Sequence, residues 1–370
     1  MKDNIKNIVV TVVFSVFLIS MFLANTVKGE DEISKSERRK LSKFPEFSLN
    51  NILSGEFMSS FEDAALDQFV GRDVFRGFKA QVLFNVFNQK DNNKIYIEES
   101  HAVKYDNLLK EAEVKMVATK INKLQNKMLE DMNVYYSIIP DKNYFLGDKY
   151  GYPKMDYSKM LNILDENINN AKYIDLFGTL TIDDYYSTDT HWKQENLDKV
   201  IKELSNEMKF SYEEIKNAEE KYPFYGVYYG QSALPLDADK LKYGYNDSIK
   251  NANVKYLNET TLNMEAGSIY DLKKLHGNDP YDVFLSGAKS LITIENPQSK
   301  SDKELILFRD SYGSSLAPLL IDGYKKITII DLRYIASPLL EQFVEFNDNS
   351  DVLFIYCTDV INNGSILKVF

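Results

Sequence analysis

The last third of the chain alternates short, unbroken apolar segments with segments of helical period, and few folds accept that rhythm. Residues 304–308, 326–330 and 351–356 read as strands, with helices expected over 314–321 and 338–346 between them. Strands that are apolar at successive positions, rather than at every second one, have both faces covered. That is the condition of a parallel sheet between layers of helices. The same rhythm runs upstream. Val114, Val117, Ile121, Leu124 and Met128 recur at helical spacing within 111–132, and a β-branched and aromatic run over 133–139 ends at Pro140-Asp141. Helices over 156–170 and 194–208 flank a strand at 173–176. The predicted class is α/β, a three-layer α/β/α arrangement with a mainly parallel sheet.

The N-terminus carries a different signal. Lys2 and Lys6 precede an apolar run from Ile8 to Ala24, and Glu30, Asp31 and Glu32 follow it. This asymmetry keeps the N-terminus cytoplasmic and places the rest of the chain outside. The run is about 25 Å long as a helix, which suits either a signal peptide or a signal anchor. Val27-Lys28-Gly29 offers small residues but no Ala-x-Ala site, which favours an uncleaved anchor. The expected organisation is an anchor or signal peptide at 1–29, a charged juxtamembrane linker at 30–43, and a catalytic domain at 44–370. Within that domain the rhythm is irregular over about 222–296, which reads as an insertion. Two helices are expected over 58–88, broken around 70–73.

Composition removes several classes of function. A formal net charge of −11 argues against a general nucleic-acid binder, which would need a basic face to neutralise phosphates. Cys357 is the single cysteine, so neither an intrachain disulfide nor a cysteine-based metal cluster can form, and it reads as a buried strand residue. No cofactor is implied.

Two short constellations carry chemistry. In the first, Arg309-Asp310-Ser311-Tyr312 places a serine where a buried strand meets a helix, so that Oγ stands at the carboxyl edge of the sheet. The Ser311 N–H would then face a developing oxyanion, although Asp310 or Ser311 in such a position can equally cap the helix. In the second, Thr188-Asp189-Thr190-His191-Trp192 offers a base and a carboxylate to orient it. Of the three histidines, His101 and His276 lack a comparable setting. A metal site built on Asp189 and His191 is the weaker reading, because no further His or Cys cluster completes it. Trp192 suits either stacking on a sugar ring or packing of the loop. Arg72, Arg76 and Lys142 suit an anion-holding or structural ion-pair network.

The second constellation resembles the motif that names the DHHW family, and the first resembles its downstream Lys/Arg-Asp-Ser-Tyr block. Weaker matches lie in the expected order: Phe44-Pro45-Glu46-Phe47-Ser48, residues 67–78 with Arg72 and Arg76, Ile139-Pro140-Asp141-Lys142, Tyr281-Asp282-Val283-Phe284-Leu285 and Asp331-Leu332-Arg333-Tyr334. The family is similar to the alginate O-acetyltransferases of the SGNH hydrolase-like group. The resemblance implies Ser311 as nucleophile, His191 as base and then acid, and Asp189 as its partner. Gly287, Arg309, Tyr312 and Trp192 become candidates for oxyanion or substrate contacts. Ser286-Gly287-Ala288 departs from a Gly-Gly-Asn-like turn, which leaves Gly287 to offer a backbone N–H. The implied activity is extracytoplasmic O-acetyl transfer to a polysaccharide, with a multi-pass membrane acyltransferase supplying acetyl groups. The alternatives are a carbohydrate acetylesterase and a non-catalytic polysaccharide-binding scaffold.

Overall fold

The structure is a computed structural model that describes residues 2–34, 36–213, 215–217 and 222–370. Residues 1 and 35, in the expected anchor and linker, and 214 and 218–221, in the expected catalytic domain, lie outside the described residues. Contacts divide the chain into two compact units, Met1–Asn93 with Tyr229–Pro235 and Lys94–Tyr228 with Leu236–Phe370.

The first unit begins with helix α1 (Lys2–Val27) and contains α2 (Glu56–Asp67) and α3 (Arg72–Asn85). The break between α2 and α3, residues 68–71, overlaps the one expected around 70–73, and Gly71 takes it with φ 71°. Residues 30–43 are not a free spacer. Ile33–Ser34 pairs antiparallel with Arg39–Lys40, and the Asp67 carboxylate accepts from Arg39 and from the Ser42 N–H. The Arg39 guanidinium holds Asp67 down to about 2. Arg72 and Arg76 pair with Glu37 in the same network, at 2.6 and 3.0 Å.

The second unit is built on an 8-stranded sheet. Its strands are β1 (Asn133–Ile139), β2 (Lys172–Tyr173), β3 (Asn253–Asn258), β4 (Asn263–Ala266), β5 (Leu291–Glu295), β6 (Glu304–Arg309), β7 (Lys326–Ile330) and β8 (Ser350–Cys357). They lie in the order β4-β3-β5-β7-β6-β8-β1-β2. From β7 to β2 all neighbours are parallel, while β5, β3 and β4 add an antiparallel wing. The irregular segment 222–296 thus supplies that wing rather than only loops.

Every residue of β8 is buried, and β6 is buried from Leu305 onward, as unbroken apolar runs require. Phe308 and Phe354 stack across the pair with ring centroids 4.5 Å apart. Helices α4 (Glu111–Met128), α5 (Tyr157–Asn167) and α6 (Asp198–Met208) bury Val117, Ile121, Leu164 and Leu204 in the same core. Each such side chain stabilises the fold by about 1.5–3 kcal/mol. After β6 comes the short helix α7 (Tyr312–Leu316), which passes at Ala317 into a 3-10 turn containing Pro318. The helix expected over 338–346 is likewise a 3-10 turn, Ser337–Gln342, opening on Pro338. Proline removes an N–H in each case, and the tighter turn tolerates the loss.

Candidate active site

Ser311 lies between the carboxyl end of β6 and α7, in right-handed helical conformation with φ −61° and ψ −26°. Its hydroxyl makes no capping bond. Asp310 holds the turn instead, accepting the Tyr312 N–H at 3.0 Å and the Cys357 N–H at 2.7 Å. The carboxylate therefore ties the end of β6 to the end of β8 and leaves Ser311 Oγ free to point elsewhere. Gly313 allows this path, since a Cβ there would come within 2.5 Å of the Arg309 Cβ.

Asp189 and His191 lie on a tight loop closed by an antiparallel bridge between Tyr185 and Trp192. The Tyr186 N–H donates to the His191 carbonyl at 3.0 Å. Asp239 anchors the near side of the loop, its carboxylate accepting from the N–H groups of Ser187 and Thr188, each at 2.7 Å. Lys142 anchors it from below, donating from Nζ to the carbonyls of Tyr186 at 2.9 Å and Ser187 at 3.2 Å.

The two elements meet. His191 Nε2 lies 2.8 Å from Ser311 Oγ, and Nδ1 lies 2.6 Å from Asp189 Oδ1. Asp189 Oδ1 also accepts the His191 backbone N–H at 3.0 Å, while Oδ2 accepts the Val227 N–H at 2.8 Å. A buried carboxylate on Nδ1 keeps a proton there, so Nε2 presents its lone pair to the serine O–H. The Tyr281 ring stacks on the imidazole at 3.9 Å between centroids and 10° between planes, and its O–H donates to Ser315 Oγ at 2.8 Å. Stacking on one face and hydrogen bonds at both nitrogens leave the imidazole little freedom to turn. Ser311 lines a cleft of about 490 Å³ together with Thr190, Tyr228, Tyr312, Arg333 and Asp359. Arg333 is pinned at its wall by two bonds to Asp331, at 2.9 and 2.7 Å.

The other candidates have different surroundings. Tyr312 lines the cleft and tilts against His191, while its hydroxyl bonds to the Thr190 carbonyl at 2.7 Å. Trp192 has 0% exposure, and its Nε1 donates to Ser315 Oγ and the Tyr312 carbonyl. With no face open to a sugar, its role is packing, and the stacking expectation is corrected. Arg309 is 1% exposed and pairs with Asp331 at 3.0 Å, which removes it from direct substrate contact. Gly287 donates its N–H to the Phe284 carbonyl at 3.1 Å, so that group is already used within a turn. Glycine is needed there because φ is 82° and a Cβ would lie 2.2 Å from Asp282 Oδ1. Lys142 bonds within the second unit to the loop of His191, and Arg72 and Arg76 bond within the first unit to Glu37. Cys357 ends β8, buried as expected, and burial pushes its thiol well up.

No family model matches the chain, and no curated protein matches it in sequence. Solved structures do resemble it. A DHHW family protein from Eubacterium siraeum is 20% identical and superposes with a TM-score of 0.59, over 74% of this chain and 92% of its own. The chain has the fold of a DHHW protein. Bacillus cereus PatB1 shares it at 17% identity and a TM-score of 0.61, over 74% of this chain and 99% of its own. PatB1 with a sulfonyl adduct gives 18% and 0.58, over 72% and 95%. This DHHW-type fold is the mainly parallel, SGNH hydrolase-like α/β class expected from the sequence.

Within the DHHW-type fold, residues that sequence reasoning did not single out position the three groups. Asp239 lies far along the chain from His191 with no local pattern to mark it, and Tyr281 falls only within the weaker match at 281–285, with no role attached to it. Gly226 is a third. A Cβ there would fall 2.2 Å from the Asp189 Cβ and 2.4 Å from the Thr188 carbonyl, so the backbone carrying the Val227 N–H can approach only as glycine. Gly226→Ala should displace that N–H from Asp189 and lower acyl-ester turnover by about 100-fold, since small misplacements are that costly. Steady-state kinetics beside a thermal melt will separate this loss from unfolding.

Lys142 gives a pH prediction. Burial pushes its amine from 10.5 down to about 7, against the pull of Asp189 and Asp239. A folded value below the unfolded one means that the unfolded chain binds the extra proton between pH 7 and about 10.4. Stability from this group is therefore least at and below pH 7 and rises with pH across that window, by about 1.4 kcal/mol per unit at most. In Lys142→Met the rise of the melting temperature over this window should be visibly smaller than in the parent.

Proposed function

We propose that the chain is a serine-dependent O-acetyltransferase acting on a cell-surface or secreted polysaccharide. The observation that carries this reading is the continuous chain Asp189–His191–Ser311, with Ser311 open to the cleft. His191 Nε2 accepts the Ser311 proton as Oγ attacks the acetyl carbonyl. The Ser311 N–H is the proposed donor to the oxyanion. When the tetrahedral intermediate collapses, the donor's leaving oxygen takes the proton from His191 and an acetyl-serine remains. A sugar hydroxyl then gives its proton to Nε2 and attacks the acetyl carbon, and the same proton returns to Ser311 Oγ as the ester product departs. Asp189 stabilises the imidazolium in both halves without becoming protonated.

Helix α1 supports placement at a membrane. The span Asn4–Val27 is long and apolar enough to cross one, and it is 0% buried. We read it as a retained anchor that holds the second unit outside the cytoplasm, near a multi-pass acyltransferase that delivers acetyl groups. The resemblance to the DHHW and alginate O-acetyltransferase proteins supports the polysaccharide acceptor.

The test is covalent capture. The full chain is treated with a chromogenic acetyl ester or with a sulfonyl fluoride, a choice supported by the adduct known in PatB1, and its peptides are examined by mass spectrometry. An acetyl or sulfonyl group on Ser311, absent in His191→Ala, is the expected result. An unmodified Ser311 in every sample would rule out the acyl-serine route. Product analysis with an oligosaccharide present then distinguishes transfer from hydrolysis, the outcome that would make the protein an esterase.

A further inference from the structure

The first two turns of helix α3 have their polarity reversed. Arg72, Arg76 and Ala80 share the face turned into the first unit, where the two arginines meet Glu37 and Ala80 is fully buried. The opposite face carries Val74 at 74% exposure and Phe78 at 66%, beside Phe75 at 47%. A helix surrounded by water places its large apolar side chains inward and its guanidinium groups outward. Phe69, in the turn that leads into α3, is exposed as well and packs edge-on against Phe75.

The same turn is bonded to the end of the apolar span. Val70 donates its N–H to Asn25 Oδ1 at 2.9 Å, and Asn25 lies inside the span Asn4–Val27. Lys28 Nζ donates to the Gln68 carbonyl at 3.3 Å. The Asp31 N–H donates to Gln68 Oε1 at 2.8 Å, and Gln68 Nε2 donates back to the Asp31 carbonyl at 2.9 Å. The depth of residues 68–71 is thereby fixed to the last turn of α1. Where α1 crosses a bilayer, its last turn is at the boundary between acyl chains and headgroups, and the turn 68–71 is there with it.

We propose that the turn 68–71 and the apolar face of α3 lie in the interfacial layer of the membrane crossed by α1, with Phe69, Val74, Phe75 and Phe78 seated in lipid. The inference rests on reading α1 as a retained anchor. Continuity with the span selects lipid over a second copy of the chain as the cover for this face. The exposed charges beside the stripe, Asp73 and Lys79, are of opposite sign. The seat therefore needs apolar burial and not an anionic headgroup.

The experiment uses the full chain in phosphatidylcholine vesicles, with an environment-sensitive fluorophore on single cysteines made by Val74→Cys and Phe78→Cys. Phe17→Cys reports on α1, and Lys300→Cys reports on an exposed site of the second unit. The parent chain, whose Cys357 is buried, gives the labelling blank. Blue-shifted emission at positions 17, 74 and 78, mostly lost when spin-labelled phosphatidylcholine is included, with position 300 unaffected, is the expected result. Quenching at 17 with water-like emission at 74 and 78 would overturn the seat and leave the anchor standing. Blue-shifted emission at 74 and 78 that lipid spin labels do not quench would overturn it in favour of a second copy. An unquenched position 17 would overturn the anchor reading and the seat together.

Discussion

Ser311→Ala should lower turnover of an acetyl ester by about 10⁵- to 10⁶-fold, to the level that oxyanion donors and binding alone can support. No other hydroxyl takes the place of Ser311 Oγ on Nε2 among the described residues, so no second nucleophile is positioned to replace it. The change should leave stability almost untouched. Ser311 makes no side-chain cap to α7, and the turn is held by Asp310, so the melting temperature should stay within the range of a neutral surface substitution. A large kinetic loss with an unchanged melt is the signature to look for. Equal turnover in parent and variant would assign the hydrolysis to a contaminant or to another site.

Asp189→Asn should cost about 10³- to 10⁴-fold in kcat. The carboxylate accepts at both oxygens, from the backbone and ring N–H groups of His191 on one side and from the Val227 N–H on the other. An amide has only one acceptor oxygen. If its NH₂ turns toward His191, it opposes the backbone N–H and forces the ring proton to Nε2, where it can no longer receive one from Ser311. If the NH₂ turns toward Val227, two donors face each other across a buried contact, at a cost of about 1–3 kcal/mol. Both orientations also lose the negative charge that stabilises the imidazolium. The loss should appear in kcat more than in KM, because the charge matters most after proton transfer. Intact binding with a depressed acylation rate in stopped-flow measurements will check it.

How far the sequence revealed this arrangement depends on whether each cause was local. Strands β6, β7 and β8 were legible within a residue or so because an unbroken apolar run has few other uses. Strands β3 and β4 were not, since Asn253–Asn258 and Asn263–Ala266 are only partly buried, carry no unbroken apolar run, and resemble loops rich in Asn. The serine turn and the Asp-x-His loop were visible as motifs. Their meeting across 120 positions, which brings Ser311 to His191, followed only from the family resemblance. The roles of Tyr281, which falls within a weaker family match, and of Asp239 and Gly226 lay beyond reach because each acts through a contact made only after the chain has folded. Trp192 left two readings open that only the fold could separate. A tryptophan beside a base looks the same in sequence whether it faces a ligand or, as here, fills the space under α7.

The position of β8 has a consequence for the making of the molecule. Residues 350–357 pair with β6 on one side and with β1 on the other, so an interior position of the sheet is filled by a strand synthesised after both of its neighbours. A polypeptide emerging N-terminus first must leave that slot empty until residue 357 has been made. Contacts so distant in sequence also form slowly. The Cys357 N–H that fixes Asp310, and through it the turn of Ser311, arrives with the same strand. A nascent chain that has not reached β8 can therefore carry the serine, the histidine and the aspartate and still lack their alignment, so the candidate site is assembled only once β8 is in place.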